Sequence, residues 1–413
     1  ATNANISAKG GLSLANSGTP RSGEDGTVRI VRPQVSSVAF TTGTLTVDTD
    51  MGEISHSDGA YLLGEFSSKT YTAEDGSVYP YQVVTFTADT ISLGSGVVVN
   101  LVGDKAVSLR TRNHGNITLG TTINVSGGSA SASIAGQGKA GGYNGGIADT
   151  NGNGPGRGKA KSVVSGTDEQ GGGGAYGGRG YDGDSAFSKP YGPADLLNHV
   201  LGGSGGAGGD QHHGGAGGGA IELFAHGDGV LTISSGGKIL ANGGDTSAQH
   251  AESGGGGSGG AIRLEGGSIS IAGTLEAKGG TGLTATPGGG GRIAIKTNGN
   301  LTLGTIKLDG HRPGTLHISG ATPTAALSHS GGTLTIDTTY GYWHHSGGTH
   351  GVGMIEDKAD DTISYKTCTF SFPSINLASG LTVHLQGANS LILKTINHGN
   401  ISIGTTLSAD GGS

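Results

Sequence analysis

The sequence has little of what usually stabilises a domain from within. It contains one cysteine, Cys368, so no internal disulfide is available, and we expect this thiol to be buried rather than reactive. Aromatic residues make up 5% of the chain and charged residues 13%. No apolar run approaches the roughly 18 residues of a membrane span. Because the net charge is −7 and no basic stripe is present, nucleic-acid binding is not expected.

Glycine, by contrast, accounts for 88 of the 413 residues. Glycine adds no side chain to a core and raises the entropy cost of folding, so a conventional layered domain would be hard to stabilise. The absence of a strict Gly-X-Y register with abundant proline excludes collagen. Regular apolar alternation and low charge argue against wholesale disorder. These features favour a repeat fold, in which each unit buries only a thin strip against its neighbours.

One short pattern recurs along the chain and indicates the coil of a β-solenoid. Each complete copy holds three apolar-x-apolar runs separated by Gly, Asn or Ser corners, and alternation with period two is typical of strands with one buried face. The copies lie at 106–128, 221–244, 262–280, 293–310 and 391–412, with a stub at 6–11. We therefore predict an all-β, right-handed parallel β-solenoid with three short strands per coil. Only 193–202, with proline at its start and glycine at its end, is helix-like.

The predicted coil divides the residues into inner and outer positions. The middle residue of each strand should face solvent, so Glu222 with Arg263 and Glu276 with Lys307 should form exposed ion pairs between successive copies. The inner rows should include the apolar residues Val107, Leu109, Ile221, Leu223, Ile262, Leu264, Ile293 and Ile295.

The sequence also contains a second, longer repeat, which includes several copies of the short one. Residues 91–129 align without a gap on 375–413, and 44–49 match 333–338, which indicates one long module with parts of its neighbours from a tandem array. The predicted organisation is an end of one module and the start of new coils at 1–49, an aromatic flank insertion with strands at 50–90, coils at 91–129, a long glycine-rich insert at 130–219, coils with short glycine-rich inserts at 220–338, a second flank insertion at 339–374, and coils at 375–413.

The glycine runs, 126–219, 242–260 and 278–291, all follow a third strand and precede the next first strand. Inserts that leave the same vertex of successive coils should project side by side from one edge. Residues 202–219 repeat Gly-Gly-X, and three residues per turn is the period of a polyproline-II-like helix. We predict a packed polyglycine-II bundle on this edge, with a flexible linker as the alternative.

Two stretches, 50–82 and 339–362, concentrate eight of the 19 aromatic residues. They are interpreted as insertions packed on the solenoid flank or, alternatively, as glycan-contacting patches. Tyr340, Tyr342 and Trp343 are the candidate glycan contacts, because aromatic faces stack on sugar rings.

One segment resembles the start of a calcium loop. Asp149, Asn151 and Asn153 supply oxygen atoms at alternate positions before a glycine turn, which makes Ca²⁺ the only candidate cofactor. The twelfth position is Ala160, where an EF-hand needs a bidentate glutamate, so an ordinary Asn-Gly turn is the alternative.

No cluster of carboxylates is predicted on the outer positions of the strands, so no catalytic residue is expected. A polysaccharide-acting β-helix enzyme, a lyase or hydrolase, stays as an alternative because such enzymes share this fold class.

The segments 254–264, 273–280 and 288–295 resemble very large glycine-rich repeat proteins secreted by bacteria. More loosely, the coil is similar to filamentous-haemagglutinin-type adhesins and autotransporter passengers. The resemblance implies a secreted or cell-surface structural or adhesive protein of a filament or surface fibre, and it transfers no catalytic residue. A glycan-binding module is the alternative. Because the sequence begins and ends at the same phase of the coil, the expected partner is another copy, head to tail, or a covalent neighbouring module, with surface polysaccharide as a further candidate.

Overall fold

The computed structural model describes most of the chain, in two compact units, 1–35 and 36–413. The described residues are 12–14, 20–22, 34–131, 133–160, 170–181, 188–197, 199–210, 212–246, 254–282, 286–319, 326–339, 341–346, 350–360, 363–395 and 399–408. In the first unit, β1 (Leu12–Leu14) pairs antiparallel with β2 (Pro20–Ser22).

The second unit consists of strands joined by turns and glycine-rich segments. Its first strands are β3 (Val38–Asp48), β4 (Glu53–His56), β5 (Tyr61–Leu63), β6 (Glu65–Thr72), β7 (Val78–Ala88), β8 (Ile91–Val102), β9 (Ala106–Thr111), β10 (Ile117–Leu119) and β11 (Thr122–Asn124). The middle strands are β12 (Ala220–Phe224), β13 (Val230–Ile233), β14 (Lys238–Leu240), β15 (Ala261–Gly266), β16 (Ser268–Ile271), β17 (Thr274–Glu276), β18 (Arg292–Thr297), β19 (Leu301–Thr302), β20 (Thr305–Lys307) and β21 (Thr315–Ser319). The last strands are β22 (Leu327–His329), β23 (Gly332–Asp337), β24 (Tyr342–His345), β25 (His350–Val352), β26 (Met354–Asp360), β27 (Ile363–Phe372), β28 (Ile375–Leu377), β29 (Leu381–Gln386), β30 (Ser390–Thr395) and β31 (Ile401–Ile403).

The all-β prediction is confirmed, and most of the sheets are parallel. The described residues contain no helix, and therefore none long and apolar enough to cross a membrane. The helix-like reading of 193–202 is wrong for its described residues, which form turns and irregular backbone. Leu196 has a left-handed φ of 52°, which breaks a helix, and its side chain is fully buried. Packing of this side chain outweighs the local helix signals.

Three parallel ladders dominate the first part of this unit. One runs β9–β12–β15–β18–β21, the second β8–β10–β13–β16–β19 and the third β11–β14–β17–β20. Matching residues of successive repeats are direct partners: Ile221 pairs with Ile262, and Ile262 with Ile293. Each repeat therefore lays its three strands on the three strands of the repeat before it.

The inward residues of these ladders form the core. All eight side chains predicted for the inner rows are at most 5% exposed, which confirms that prediction. Cys368 is also buried as expected, and burial raises the pKa of its thiol to about 12. The thiol is therefore protonated and poorly nucleophilic at neutral pH.

The two flank stretches are more regular than expected, because they form antiparallel hairpins at the sheet edges. In the first, β4 pairs with β3 and β5, and β6 pairs with β7. In the second, β24 pairs with β23 and β25, and β26 pairs with β27. Aromatic and β-branched residues in these stretches suit strands well.

The two hairpins repeat each other in detail, which supports the longer period. His56 lies opposite Leu45, and His345 lies opposite Leu334. The His56 ring stacks on Phe40 at 3.8 Å between centroids. At the equivalent place His345 stacks on another ring, that of His329, at 3.9 Å.

The glycine-rich segments lie side by side and are joined by backbone hydrogen bonds. The N–H of Gly206 donates to the carbonyl of Gly215 at 2.9 Å, and the N–H of Gly215 donates to the carbonyl of Gly255 at 3.0 Å. A Cβ at Gly257 would lie 1.8 Å from the Ala216 carbonyl oxygen. The segments thus approach more closely than any side chain would permit.

Replacing Gly257 by alanine should therefore destabilise the protein by about 1–3 kcal/mol, because the methyl group meets backbone rather than a movable side chain. Chemical denaturation measures the free energy of unfolding. Gly236→Ala is the matched control: Gly236 is exposed, its φ lies outside the left-handed range, and its nearest neighbour stands 3.4 Å from an added Cβ. This control should change stability by less than about 0.5 kcal/mol. Equal effects of the two substitutions would contradict close packing of the glycine segments.

Candidate functional site: a tyrosine-lined cleft

The outer face of the β9–β12–β15–β18 ladder is covered rather than exposed. Leu196, Val200 and Leu201, from the glycine-rich insert, belong to one hydrophobic cluster with Ala220 and Ala261 on the outer side of the strands. Because the alanine side chains are small, these insert residues fit above them as a second layer. The sheet therefore has apolar side chains packed on both of its faces. The prediction that the middle residues of these strands face solvent is therefore wrong.

The same outer face of the sheet carries a buried ion cluster. Glu222 is 3% exposed and Arg263 is 5% exposed, and the two side chains form the predicted ion pair between successive strands. Arg110 Nη2 donates to Glu222 Oε2 at 2.6 Å, and the Ser108 hydroxyl donates to the same oxygen at 2.5 Å. The pairing is as predicted, but both side chains are buried rather than exposed, and Asp195 and Leu197 of the insert lie beside Arg263. Glu276 and Lys307 pair at 2.8 Å on another ladder, where Lys307 keeps much of its surface in water.

The ionisation of Glu222 is set by two opposing effects. Burial raises the pKa of the carboxyl, but the charges of Arg110 and Arg263 and the hydrogen bond from Ser108 outweigh burial, so the pKa lies below its ordinary value. A general acid needs a raised pKa. Glu222 is therefore suited to joining adjacent strands as an ion.

Beside this region, six of the 11 tyrosines of the chain lie close together. They come from the β6–β7 hairpin and from the glycine-rich insert, and they are Tyr71, Tyr79, Tyr81, Tyr143, Tyr176 and Tyr191. Tyr71 and Tyr79 are direct partners across the hairpin and share one face of it. Burial raises the pKa of Tyr81 and of Tyr143 to about 12 each, so both hydroxyls stay protonated at neutral pH.

Three of these tyrosines, Tyr71, Tyr79 and Tyr191, line a cleft of about 640 Å³. We call this the tyrosine cleft; its lining residues include Tyr71, Glu74, Asp75, Tyr79, Pro155, Arg157, Lys159, Lys189, Pro190, Tyr191, Pro193 and Arg292. It combines aromatic rings with side chains of both charges. Aromatic surface with a few convergent polar groups is typical of a ligand site.

Hydrogen bonds fix the walls of the cleft. The N–H of Gly192 donates to the Tyr71 hydroxyl at 3.0 Å, and Arg157 Nη1 donates to the Tyr79 hydroxyl at 3.1 Å. The Tyr191 hydroxyl donates to the Gly202 carbonyl at 2.5 Å. At the floor, the Arg292 guanidinium donates to the Tyr191 carbonyl at 2.9 Å. The hairpin and the insert are therefore held in one arrangement without a ligand.

The residues predicted to contact glycan lie elsewhere. Tyr340 is outside the described residues. Tyr342 is half-buried and lines a separate groove of about 320 Å³ with Ile306 and Leu316. Trp343 is 9% exposed and packs in a core cluster, with its ring 5.9 Å from Phe372, so its ring face is not available to a sugar. Glycan contact in this stretch stays a prediction for Tyr342.

The candidate calcium residues lie in an internally hydrogen-bonded loop. Asn151 Oδ1 accepts from the Ala160 N–H at 2.8 Å, and the Asn153 amide donates to the Asn144 carbonyl at 3.2 Å. Asp149 has a left-handed φ of 58°. Two of the three side chains thus stabilise the turn, and the Ca²⁺ site stays a prediction, testable by calorimetric titration of Ca²⁺.

Sequence reasoning noticed the hairpin tyrosines but missed their partners in the insert. Tyr143, Tyr176, Tyr191 and His199 are distant in sequence and carry no periodic pattern. A usable signal was composition, since these bulky rings interrupt glycine runs. Comparison of the chain with protein-family models, with curated proteins and with solved structures finds no match.

The buried ion cluster gives a prediction for stability. Glu222→Gln should lower the free energy of unfolding at neutral pH by about 1–3 kcal/mol, because buried Arg263 loses one of its two carboxylate partners and keeps only Glu265. Because the pKa of Glu222 is depressed in the fold, its contribution is present above the ordinary value of 4.5 and is lost as the pH falls through the folded value. Urea denaturation at several pH values measures both effects.

Asp89→Asn is the matched control, since Asp89 and Arg112 form an ion pair whose side chains are 42% and 49% exposed. Water screens this pair, so the substitution should change stability little. If Glu222→Gln were equally mild, the cluster would not hold the strands together.

Proposed function

We propose that this chain is an extracellular structural or adhesive repeat protein that forms, or belongs to, a filament or cell-surface fibre and catalyses no reaction. In this proposal the strands wind as a right-handed β-solenoid with three strands per coil. The glycine-rich inserts form a polyglycine-II bundle along one edge. Secretion or display at the cell surface is part of the proposal, and it comes from the sequence resemblance.

The observation that carries the proposal is the common register of the three ladders. The same three repeats that pair in one ladder through Ile221, Ile262 and Ile293 pair in the second through Leu231, Ile269 and Leu301. Successive repeats are therefore equivalent, and such equivalence suits an object that grows along one axis.

The glycine segments support the same reading. Their N–H and carbonyl groups pair between segments that leave successive repeats, as between Gly215 and Gly255 and between Gly256 and Thr286. A bundle of this kind stiffens an edge without adding a hydrophobic core. Stiffness along the axis is what a fibre needs.

Non-catalytic function is supported by how the outer carboxylates are used. Glu222 is an ion held by two arginines, and Glu265 is bound by Arg263 and, at 2.9 Å, by Lys296. Glycoside hydrolysis needs one carboxylic acid kept protonated beside a second carboxylate. The alternative of a polysaccharide-acting enzyme is tested directly below.

The proposed partner is another copy of the same module, docked head to tail or joined covalently. The repeat of the β3–β4 hairpin as the β23–β24 hairpin supports a tandem arrangement. Parallel strands at the end of a ladder present unpaired N–H and carbonyl groups, and a following module of the same phase would pair with them.

Removal of one whole coil tests the proposed fold. Deleting 261–291 places Arg292 at the position of Ala261, Leu301 at that of Ile269 and Ile306 at that of Leu275. We expect a cooperatively unfolding protein, measured by circular dichroism during urea titration, because the ladders close up in register.

The control is a shorter deletion, 274–291, which removes β17 and its glycine insert but keeps β15 and β16. This shorter deletion should lower stability more than the longer one. Without β17 the chain cannot pass from β16 back to the first ladder as it does in an intact coil, and one set of apolar strand residues loses its position in the core. If the longer deletion proved as damaging as the shorter one, the coil would not be the structural unit.

Assembly and turnover test the proposed function. Electron microscopy and light scattering of the purified chain should show unbranched fibres that lengthen with protein concentration. The same protein incubated with acidic and neutral polysaccharides should release no new reducing or unsaturated ends. A monodisperse monomer at high concentration would contradict self-assembly, and turnover of any polysaccharide would contradict a non-catalytic role.

A further inference from the structure

We propose that the tyrosine cleft binds an oligosaccharide that carries carboxylate groups, such as a chain of uronic or sialic acids. This inference goes beyond the proposed structural role and does not depend on it. The hairpin side of the cleft belongs to 50–82, one of the two stretches for which glycan contact was the alternative interpretation, whereas the insert side and the individual candidates Tyr340, Tyr342 and Trp343 lie outside that stretch. The shape of the walls, their pre-organisation and the charge at the rim support it.

The walls of the cleft present flat aromatic rings that are similar in size to a sugar ring. Tyr71 and Tyr79 are half-buried and stand side by side on one face of the β6–β7 hairpin. Tyr191 is 7% exposed and packs against Tyr71 at 5.8 Å between centroids, so it supports the Tyr71 ring rather than offering a ring face itself. Pro155 and Pro190 add rigid apolar surface to the insert side. A pyranose ring has C–H groups on its faces and hydroxyls on its edge, so it suits an aromatic wall with polar groups around it.

The cleft is organised before a ligand arrives. The hydroxyls of Tyr71 and Tyr79 are held by Gly192 and Arg157, and the Tyr79 ring packs edge-on against Tyr143 at 6.4 Å. Because these side chains already have fixed positions, little conformational entropy is lost when a ligand binds. Such rigidity distinguishes the cleft from an incidental surface depression.

The rim favours a negatively charged ligand. Arg157, Lys159 and Lys189 are exposed cations on the insert side of the cleft. Lys189 and Glu74 are 3.9 Å apart, but their side chains are 77% and 85% exposed, so the contact is weak and either group can turn to a ligand.

The second rim carboxylate is engaged locally. Asp75 accepts a hydrogen bond from the Ser77 N–H at 2.9 Å, and this bond is the main reason that its pKa lies below the ordinary value. The carboxylate thus closes the turn of its own hairpin. Arg157 offers planar N–H donors that match a carboxylate, and the Arg292 charge at the floor adds to the positive potential.

Other ligand classes match the cleft less well. Nucleic acid matches less well because its backbone needs an extended run of cations, and the sequence contains no basic stripe. A short acidic sugar meets only the local cations at the rim. A neutral sugar would use the rings but gain no charge pairing with these cations.

Calorimetric titration of the full chain tests the proposal, with tetramers of galacturonate, mannuronate and sialic acid as acidic probes and maltotetraose as the neutral one. At least one acidic tetramer should bind at least about tenfold more tightly than maltotetraose. Its affinity should fall as salt is added, because the contacts at the rim are exposed. Binding of none of the acidic tetramers, or equal binding of maltotetraose, would overturn the proposal.

Single substitutions test whether the tyrosine cleft is the binding site. Arg157→Gln and Lys159→Gln alter exposed side chains, so both proteins should fold, and each should weaken acidic-tetramer binding by about tenfold or more. Tyr79→Phe keeps the ring and should retain most of the affinity, whereas Tyr79→Ala should lose it. Lys238→Gln, an exposed lysine on β14, is the matched control and should bind like the unaltered chain.

These outcomes separate the two proposals. Unchanged affinity in Arg157→Gln and Lys159→Gln, with thermal unfolding equal to that of the unaltered chain, would overturn the cleft as the site. Displacement of the tetramer by an acidic peptide of equal charge would overturn the choice of a sugar. Fibre formation is measured without any saccharide, so its failure bears on the structural role and not on the cleft.

Discussion

The pairing of each strand with the equivalent strand of the next repeat is the constraint on which the rest of the structure depends. Because side chains alternate between faces, a slip of one residue would move every apolar side chain out of the core. The register Ile221–Ile262–Ile293 shows that no slip occurs over these repeats. Everything on the outer face, including the ion pairs and the covering layer, is placed by this register.

Close approach of backbones is the second constraint, and it follows from the first. Segments that leave successive strands are brought next to each other, and only glycine permits their N–H and carbonyl groups to pair at this distance, as at Gly206 and Gly215. The abundance of glycine, which weakens an ordinary domain, here permits a hydrogen-bonded layer. That layer in turn fixes the backbone from which the bulky side chains of the insert project.

The most specific surface of the protein therefore comes from its least repetitive residues. Tyr71 and Tyr79 belong to an edge hairpin, while Tyr143 and Tyr191 interrupt the glycine-rich insert. The repeats are too alike to create a unique cleft by themselves. Insertions of irregular sequence supply the shape and charge, and the ladders supply a rigid base for them.

Alternation in the sequence determined which strand residues face inward, because a strand with period two buries every second side chain. The eight inner residues follow from it. The same alternation separated Glu222 and Arg263 from the core but could not tell whether water or protein covers them. That depended on the path of the insert, which carries no periodic signal: Leu196, Val200 and Leu201 pack on the outer alanines of the same sheet, and Asp195 and Leu197 lie beside Arg263. Only the tertiary structure decided the burial of the ion cluster, the place of Trp343 in a core and the meeting of six tyrosines, since each depends on contacts between residues far apart in the chain.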